Sequence, residues 1–180
     1  MRGHRRQCGG SVGIDHRFAG HALNAVDAKG RVSVPAALRG TVVQRLRASG
    51  VVLDDKGGTL HVAPHPKGDR LVAYDQVGIN QLADELKESV AHLPPPERRE
   101  ALDELRQTEM GNMVPVPYDS AGRMVLPPVL RDLGGVGDLA YFMGIDDHIE
   151  IWAPERAEQA FANRPMMLTV LRSYLKAREA

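Results

Sequence analysis

The chain of 180 residues has one cysteine, no long apolar run and no net charge. Because Cys8 has no second cysteine as a partner, an intrachain disulfide framework is excluded. No run of apolar residues reaches the roughly 18 that a membrane-spanning helix requires, and residues 1–13 lack the apolar block of a secretion signal. These absences predict a soluble cytoplasmic protein without a membrane partner.

The net charge of zero conceals an uneven distribution of basic and acidic residues. Residues 1–50 contain nine Lys or Arg against two Asp or Glu, whereas the rest of the chain contains 14 against 21, so the two parts carry +7 and −7. A local basic surface is therefore compatible with a neutral molecule and with a nucleic-acid partner. We expect residues 1–15, whose glycines offer nothing to pack, to form a disordered N-terminal extension.

The most informative feature of the chain is a segment that occurs twice. DAKGRVSVPAALRG, residues 27–40, returns as DSAGRMVLPPVLRD, residues 119–132. The identical pairs are Asp27/Asp119, Gly30/Gly122, Arg31/Arg123, Pro35/Pro127, Leu38/Leu130 and Arg39/Arg131. We therefore predict a first half at residues 16–110, with connecting helices, and a second half at residues 111–180, with C-terminal helices.

Each half reads as strand, turn, strand, short helix, strand, strand and helix. The strands after the repeated segment are predicted at residues 51–53, 59–64, 139–143 and 148–154. The prolines that end the second strand of each pair, Pro64 and Pro154, are predicted to open helices.

Helical patterns connect the halves and end the chain. Residues 78–93 and 95–110 carry leucines at helical spacing, which we expect to pack against the sheet rather than to form a coiled coil. Residues 166–180 are also amphipathic, and Pro165 separates them from the preceding helix. This last segment is expected to cover either a neighbouring subunit or its own core.

The repeated segment has the chemistry of a β-hairpin turn. An Asp three residues before a Gly suits a type I turn, in which the carboxylate accepts backbone N–H bonds and the glycine takes a left-handed conformation. The predicted turn-shaping residues are Asp27, Gly30, Asp119 and Gly122. Alternation along the strand after each turn places Arg31 and Arg123 on the face away from the core.

The prolines of the repeated segment mark the end of a strand. Pro35 and Pro127 cannot donate to a ladder, but their fixed φ suits the first turn of a helix. Three residues after each proline a leucine is expected to pack inward, and the following Arg39 and Arg131 are expected to lie nearer the solvent.

Two roles are open for the motif arginines. In a structural role, Arg31 pairs with Asp27 across its own turn, as surface ion pairs commonly do. In a binding role, Arg31 and Arg123 use their guanidinium forks on a phosphate or on guanine in the major groove. Lys29 adds a phosphate contact, for which the second motif has only Ala121. The repetition of the motif in matched context favours DNA binding by Arg31, Arg123 and Lys29.

These segments resemble the MraZ family of transcriptional regulators, within the AbrB/SpoVT class of swapped-hairpin DNA-binding proteins. Residues 18–39 and 116–152 carry the resemblance. It implies an α+β fold of two pseudo-symmetric swapped-hairpin (AbrB-like) β-barrel halves with flanking helices. It also implies double-stranded DNA contacts from residues 27–31 and 119–123, a ring-like homo-oligomer and nucleoid association. The implied targets are tandem short repeats in the promoter of a cell-division and cell-wall gene cluster.

Other classes of function fit the sequence less well. An AbrB-type antitoxin, which binds DNA and a partner toxin, is the main alternative, but such proteins usually carry one hairpin motif and a disordered tail. A purely structural ring protein would not need the two motif arginines. GGSVG, residues 9–13, has the spacing of a nucleophile elbow without the strand and helix that flank one. His61 and His65 are separated by Pro64 and lack further ligands. We expect no enzyme, metal, cofactor or small-molecule substrate.

Overall fold

The computed structural model describes residues 16–51 and 56–179. Residues 1–15, for which the sequence predicts a disordered extension, lie outside the described residues. The strands are β1 (His21–Ala25), β2 (Arg31–Ser33), β3 (Gly57–Pro64), β4 (Leu71–Tyr74), β5 (Val114–Asp119), β6 (Arg123–Val125), β7 (Leu139–Ile145) and β8 (His148–Trp152). The helices are α1 (Ala36–Ala48), α2 (Gln76–Ser89), α3 (Pro95–Glu109), α4 (Pro128–Gly134), α5 (Pro154–Ala160) and α6 (Pro165–Glu179).

The eight strands form one antiparallel sheet in the order β1-β7-β8-β4-β3-β5-β6-β2. The first half contributes β1 to β4 and the second β5 to β8, so strands of one half pair with strands of the other. The two edge strands of the sheet, β1 and β2, lie close to each other. Asn24 Nδ2 on β1 donates a 2.6 Å hydrogen bond to the Ser33 carbonyl on β2. The predicted α+β fold, a swapped-hairpin barrel with flanking helices, is confirmed.

The register of the sheet reveals a pseudo-two-fold relation between the halves. On one side of the barrel Val32 pairs with Met124, its counterpart in the repeat. On the opposite side Val72 pairs with Glu150. Backbone bonds repeat the symmetry: Val34 N donates to Gly122 O at 2.8 Å, and Leu126 N donates to Gly30 O at 2.9 Å.

Side chains that point into the barrel form its core. Val32 and Met124 are almost fully buried, while the residues on either side of them along β2 and β6 are exposed, as alternation requires. Other core residues are Phe18, Leu60, Val62, Val116, Phe142 and Ile149. The motif arginines therefore leave the sheet on its outer face, as predicted.

The prolines of the repeated segment stop strands and precede helices, as predicted. Pro35 is the N-cap of α1, and Pro127 is the N-cap of α4. The two helices differ in length, with 13 residues in α1 and seven in α4. Gly135 ends α4 in the left-handed conformation, with φ of +65°, which glycine adopts without steric cost.

Of the two later strands predicted in the first half, the one at residues 59–64 is confirmed, because it lies within β3. It is the first strand of its hairpin rather than the second, and the second is β4, Leu71–Tyr74, which was not predicted. Of the strand predicted at residues 51–53, Val51 lies outside any strand and the other two residues are outside the described ones. Pro64 does not open a helix, because it pairs with Leu71 in the β3–β4 hairpin. Pro154 does open α5, as predicted.

The β3–β4 hairpin of the first half corresponds to the β7–β8 hairpin of the second, and a helix follows each of them. Asp75 caps α2 by accepting a 2.7 Å bond from Gly78 N, in the position that Ala153 occupies before α5. Tyr74 therefore corresponds to Trp152, each being the last residue of its strand.

The two helices that connect the halves were predicted correctly, but their packing differs. Leu86 and Val90, at the end of α2, are buried, whereas no residue of α3 is. The expected packing of leucines against the sheet therefore holds for α2 and not for α3, whose Leu102 and Leu105 are half-buried.

The C-terminal helix covers its own chain, which was one of the two predicted alternatives. Leu171 of α6 is fully buried in a second apolar cluster on the outside of the barrel. The cluster also contains Tyr141, Met143, Trp152, Ala157 and Phe161. Among the helices of residues 16–51 and 56–179, none has the length and apolarity needed to span a membrane.

Candidate nucleic-acid interface

The first motif forms a tight hairpin turn around the Asp27 carboxylate. Asp27 Oδ1 accepts 2.9 Å hydrogen bonds from Lys29 N and Arg31 N, and Gly30 N donates to Asp27 O at 2.8 Å. Gly30 has φ of +79°, and a Cβ there would lie 2.7 Å from the Leu126 carbonyl oxygen. The turn therefore needs glycine both for its conformation and for the space beside the second half.

The second motif repeats this arrangement. Asp119 Oδ1 accepts hydrogen bonds from Ala121 N at 3.0 Å and Arg123 N at 2.9 Å, and Gly122 N donates to Asp119 O at 2.7 Å. Gly122 has φ of +85°. The two turns thus have the same hydrogen-bonding pattern. In each, the Asp carboxylate and the Gly lie where the sequence predicted that they shape the turn.

Each motif arginine is tied to its own aspartate through one nitrogen. Arg31 Nε lies 2.5 Å from Asp27 Oδ2, and Arg123 Nε lies 2.7 Å from Asp119 Oδ2. The arginine side chains are 62% and 73% exposed, and neither makes a further side-chain hydrogen bond within the described residues. The structural ion pair and the binding role are therefore compatible, because the terminal Nη groups remain for a ligand.

The same contacts keep both aspartates ionised. The backbone N–H of Arg31, followed by its guanidinium, lowers the pKa of the Asp27 carboxyl below its ordinary value. The corresponding groups of Arg123 lower the pKa of Asp119. Since both carboxylates are charged at neutral pH, each continues to orient its arginine.

A second arginine from each motif holds the turn of the other motif. Arg39 Nη1 donates to the Ser120 carbonyl at 2.8 Å, and Arg131 Nη1 donates to the Ala28 carbonyl at 3.4 Å. Both arginines are half-buried. The sequence predicted only that they lie nearer the solvent and missed this role, for which their identity in the repeat was the available signal.

The two turns flank one exposed ribbon. Strands β2 and β6 pair antiparallel, and the outward residues on them are Arg31, Ser33, Arg123 and Val125. A cleft of about 540 Å³ lies between the turns and is lined in part by Asp27, Arg31, Asp119 and Arg123. The structure therefore brings Arg31 and Arg123 to one cleft, while Lys29 is exposed in the first turn, two residues before Arg31.

The histidines weighed as ligands lie elsewhere. His61 is on β3, and burial lowers its pKa. His65 Nε2 lies 2.8 Å from Arg70 Nη2 in the turn after β3. In the described part of the chain, no three His, Cys, Asp or Glu side chains are grouped so as to hold a metal ion.

No protein-family model matches the chain, but curated relatives do. The transcriptional regulator MraZ of Rhizobium rhizogenes is 31% identical over 160 residues, which are 88% of this chain and 99% of that protein. MraZ of Rhizobium meliloti is 31% identical over 147 residues, 82% of this chain and 87% of the relative. MraZ of Leptothrix cholodnii is 30% identical over 155 residues, 84% of this chain and 92% of the relative. The chain therefore belongs to the MraZ family of transcriptional regulators, as the tandem DxxGR motif predicted.

Proposed function

We propose that the protein regulates transcription by binding double-stranded DNA through Arg31 and Arg123, with Lys29 on a phosphate. The observation that carries the proposal is the pair of DxxGR turns at the two ends of one exposed antiparallel ribbon. A two-stranded ribbon fits the major groove, and a guanidinium fork matches guanine O6 and N7 or a phosphate.

The aspartate ties support this role energetically. A long side chain that is already held in one orientation loses less conformational freedom when it binds. Asp27 and Asp119 hold Nε of each arginine and leave the terminal nitrogens free. The carboxylates themselves bond backbone N–H groups of the turn, so we assign them to turn shape rather than to DNA contact.

We further propose that the protein binds as a ring-like homo-oligomer to tandem short repeats in the promoter of a cell-division and cell-wall gene cluster, and so associates with the nucleoid. Strands β2 and β6 have three residues each, so one ribbon spans only a few base pairs. Several linked ribbons gain affinity through effective concentration. Exposed apolar side chains on α4 and α6, namely Val129, Leu133 and Met166, offer surface for self-association.

The antitoxin alternative is less well supported. An antitoxin of this class engages its toxin with its C-terminal segment, but α6 buries Leu171 against its own barrel. The relatives are named transcriptional regulators, which also supports the expectation that the chain is not an enzyme.

DNA binding is tested by electrophoretic shift with the chain's own upstream region and with probes that carry one, two and three repeats. Affinity should rise steeply with repeat number. Arg31→Ala and Arg123→Ala should each weaken binding by at least about fivefold, since a bidentate base contact is worth about 1–3 kcal/mol. Arg172→Ala is the matched control, because Arg172 is similarly exposed and is also tied through Nε, to Glu158 at 3.0 Å. Wild-type affinity in both motif variants would contradict the proposal.

Assembly is tested separately by light scattering after size exclusion. The expected mass is several times the 19.7 kDa of one chain. A monomer at micromolar concentration would argue against the oligomer while leaving DNA contact by the arginines to be judged by the shift experiment.

A further inference from the structure

We propose that Val125 and Ser33 make the DNA site directional. Val125 would contact the 5-methyl group of a thymine beside the base pair that Arg31 contacts. Ser33 lies in the equivalent position beside Arg123 and would tolerate any base pair there. The inference rests on the proposed function and deepens it, because it names the residues that make the two ends of the ribbon read different bases.

The register of the ribbon places these neighbours. Arg31 pairs with Val125, and Ser33 pairs with Arg123, on either side of the central Val32–Met124 pair. Directly opposed residues on one face have Cβ atoms about 4.5–5.5 Å apart. That spacing is between one and two steps of about 3.4 Å along a DNA strand, so each arginine and its cross-strand neighbour reach adjacent bases.

Val125 is an apolar residue in a polar surface. It is 52% exposed, and its outward neighbours on the ribbon are Arg31, Ser33 and Arg123. The side chain of valine cannot form a hydrogen bond with a phosphate or with the edge of a base. The apolar group that the major groove presents is the thymine methyl, and its contact with Val125 would remove both from water.

Ser33 has the opposite character. It is exposed, and its hydroxyl makes no hydrogen bond within the described residues, whereas its carbonyl accepts from Asn24. A hydroxyl both donates and accepts, so it fits the edge of any base pair. The repeat itself supplies this difference, since Val125 and Ser33 are equivalent positions of the two motifs.

The turns add a second difference between the two ends of the ribbon, and it also distinguishes the Arg31 end from the Arg123 end. Lys29 is exposed in the turn that precedes Arg31, and the equivalent residue before Arg123 is Ala121. The Arg31 end of the ribbon therefore combines a phosphate cation with a methyl contact, and the Arg123 end has neither. A site with such unequal ends has one preferred orientation on the duplex.

Replacement of thymine by uracil tests the methyl contact, because it removes the 5-methyl group and nothing else. The full-length protein is titrated with a multi-repeat duplex in which each thymine position is replaced in turn. Wild type should lose about fourfold in affinity per repeat at one position, which corresponds to the roughly 0.8 kcal/mol of one buried methyl group. Val125→Ser should bind the thymine and uracil probes equally.

Two further variants keep the result interpretable. Ser33→Val should gain a second uracil-sensitive position, at the other end of the repeat, and this gain does not depend on how Val125→Ser folds. Val51→Ser changes another exposed valine, 43% accessible, after α1 and outside the ribbon, and should keep the wild-type pattern. Thermal melting and size exclusion accompany every variant.

The outcomes separate this inference from the proposed function. DNA binding without any uracil-sensitive position, or with a sensitivity that Val125→Ser retains and Ser33→Val does not extend, would overturn the inference and leave the proposed function intact. Failure of wild type to bind the multi-repeat duplex would overturn both.

Discussion

Arg39 Nη1 in the first motif donates a 2.8 Å hydrogen bond to the backbone carbonyl of Ser120, in the turn of the second motif. Arg131 makes the reciprocal contact with Ala28 at 3.4 Å. Each turn is thus positioned by the helix that follows the other turn. The two exposed motif arginines therefore belong to one surface, whose geometry requires both halves of the chain.

Arg39→Ala should loosen the second turn and lower both stability and DNA affinity. Loss of the half-buried Arg39, a charged donor, from the exposed Ser120 carbonyl should cost about 1 kcal/mol in the free energy of unfolding, measured by urea titration. Arg131→Ala should cost less, because its bond to Ala28 is longer. Unchanged stability and unchanged DNA affinity in Arg39→Ala would show that the contact does not position the turn.

Gly30→Ala and Gly122→Ala should both destabilise the protein. Each glycine has positive φ, and the added Cβ would lie 2.7 Å from Leu126 O at residue 30 and 2.4 Å from Arg39 Nε at residue 122. We expect a loss of at least about 1–2 kcal/mol, measured by thermal and urea unfolding.

Gly40→Ala is the control for these turn substitutions. Gly40 lies inside α1, and an added Cβ would meet nothing within 4 Å. Since alanine favours a helix over glycine by about 1 kcal/mol, this variant should be slightly more stable than wild type. Equal losses at all three glycines would contradict the assignment of a special role to the turns.

The turn aspartates should make stability fall at acidic pH. The pKa of Asp27 and of Asp119 is lowered in the folded chain, chiefly by the backbone N–H of the motif arginine. Their contribution is therefore complete above the unfolded pKa of about 3.9 and is lost as the pH falls through the lower folded values. Asp27→Asn/Asp119→Asn should be less stable than wild type at pH 7, and the difference should shrink below about pH 4. A difference that stays constant with pH would exclude this linkage.

Arg45 and Asp75 form a buried ion pair whose disruption should be costly. Arg45 Nε lies 2.8 Å from Asp75 Oδ2, and the two side chains are 1% and 0% exposed. Arg45→Met leaves the carboxylate unpaired in the interior and should cost about 3–5 kcal/mol. The double variant Arg45→Met/Asp75→Asn should recover part of that loss in urea unfolding. No recovery would mean that the packing of Arg45, including its contact with Phe18, accounts for the effect.

The sequence by itself determined the turns, most helix positions and the family. These depend on short-range interactions: the Asp27 carboxylate bonds N–H groups within four residues, and Pro35 ends a strand wherever the sheet lies. Alternation along three residues was enough to place Arg31 and Arg123 on the outer face. The Arg31–Asp27 ion pair was one of the two roles open for that arginine, and the Arg123–Asp119 pair, which was not predicted, repeats it.

Only the tertiary structure decided which strands pair and what stands beside each arginine. β4, Leu71–Tyr74, was not predicted, and it is a strand because it pairs with β3 on one side and with β8 of the other half on the other. Val125 lies 94 positions from Arg31 in the chain and becomes its neighbour through the β2–β6 register. Such contacts depend on which distant strands bury their apolar faces together, and that choice is a property of the whole barrel rather than of any segment.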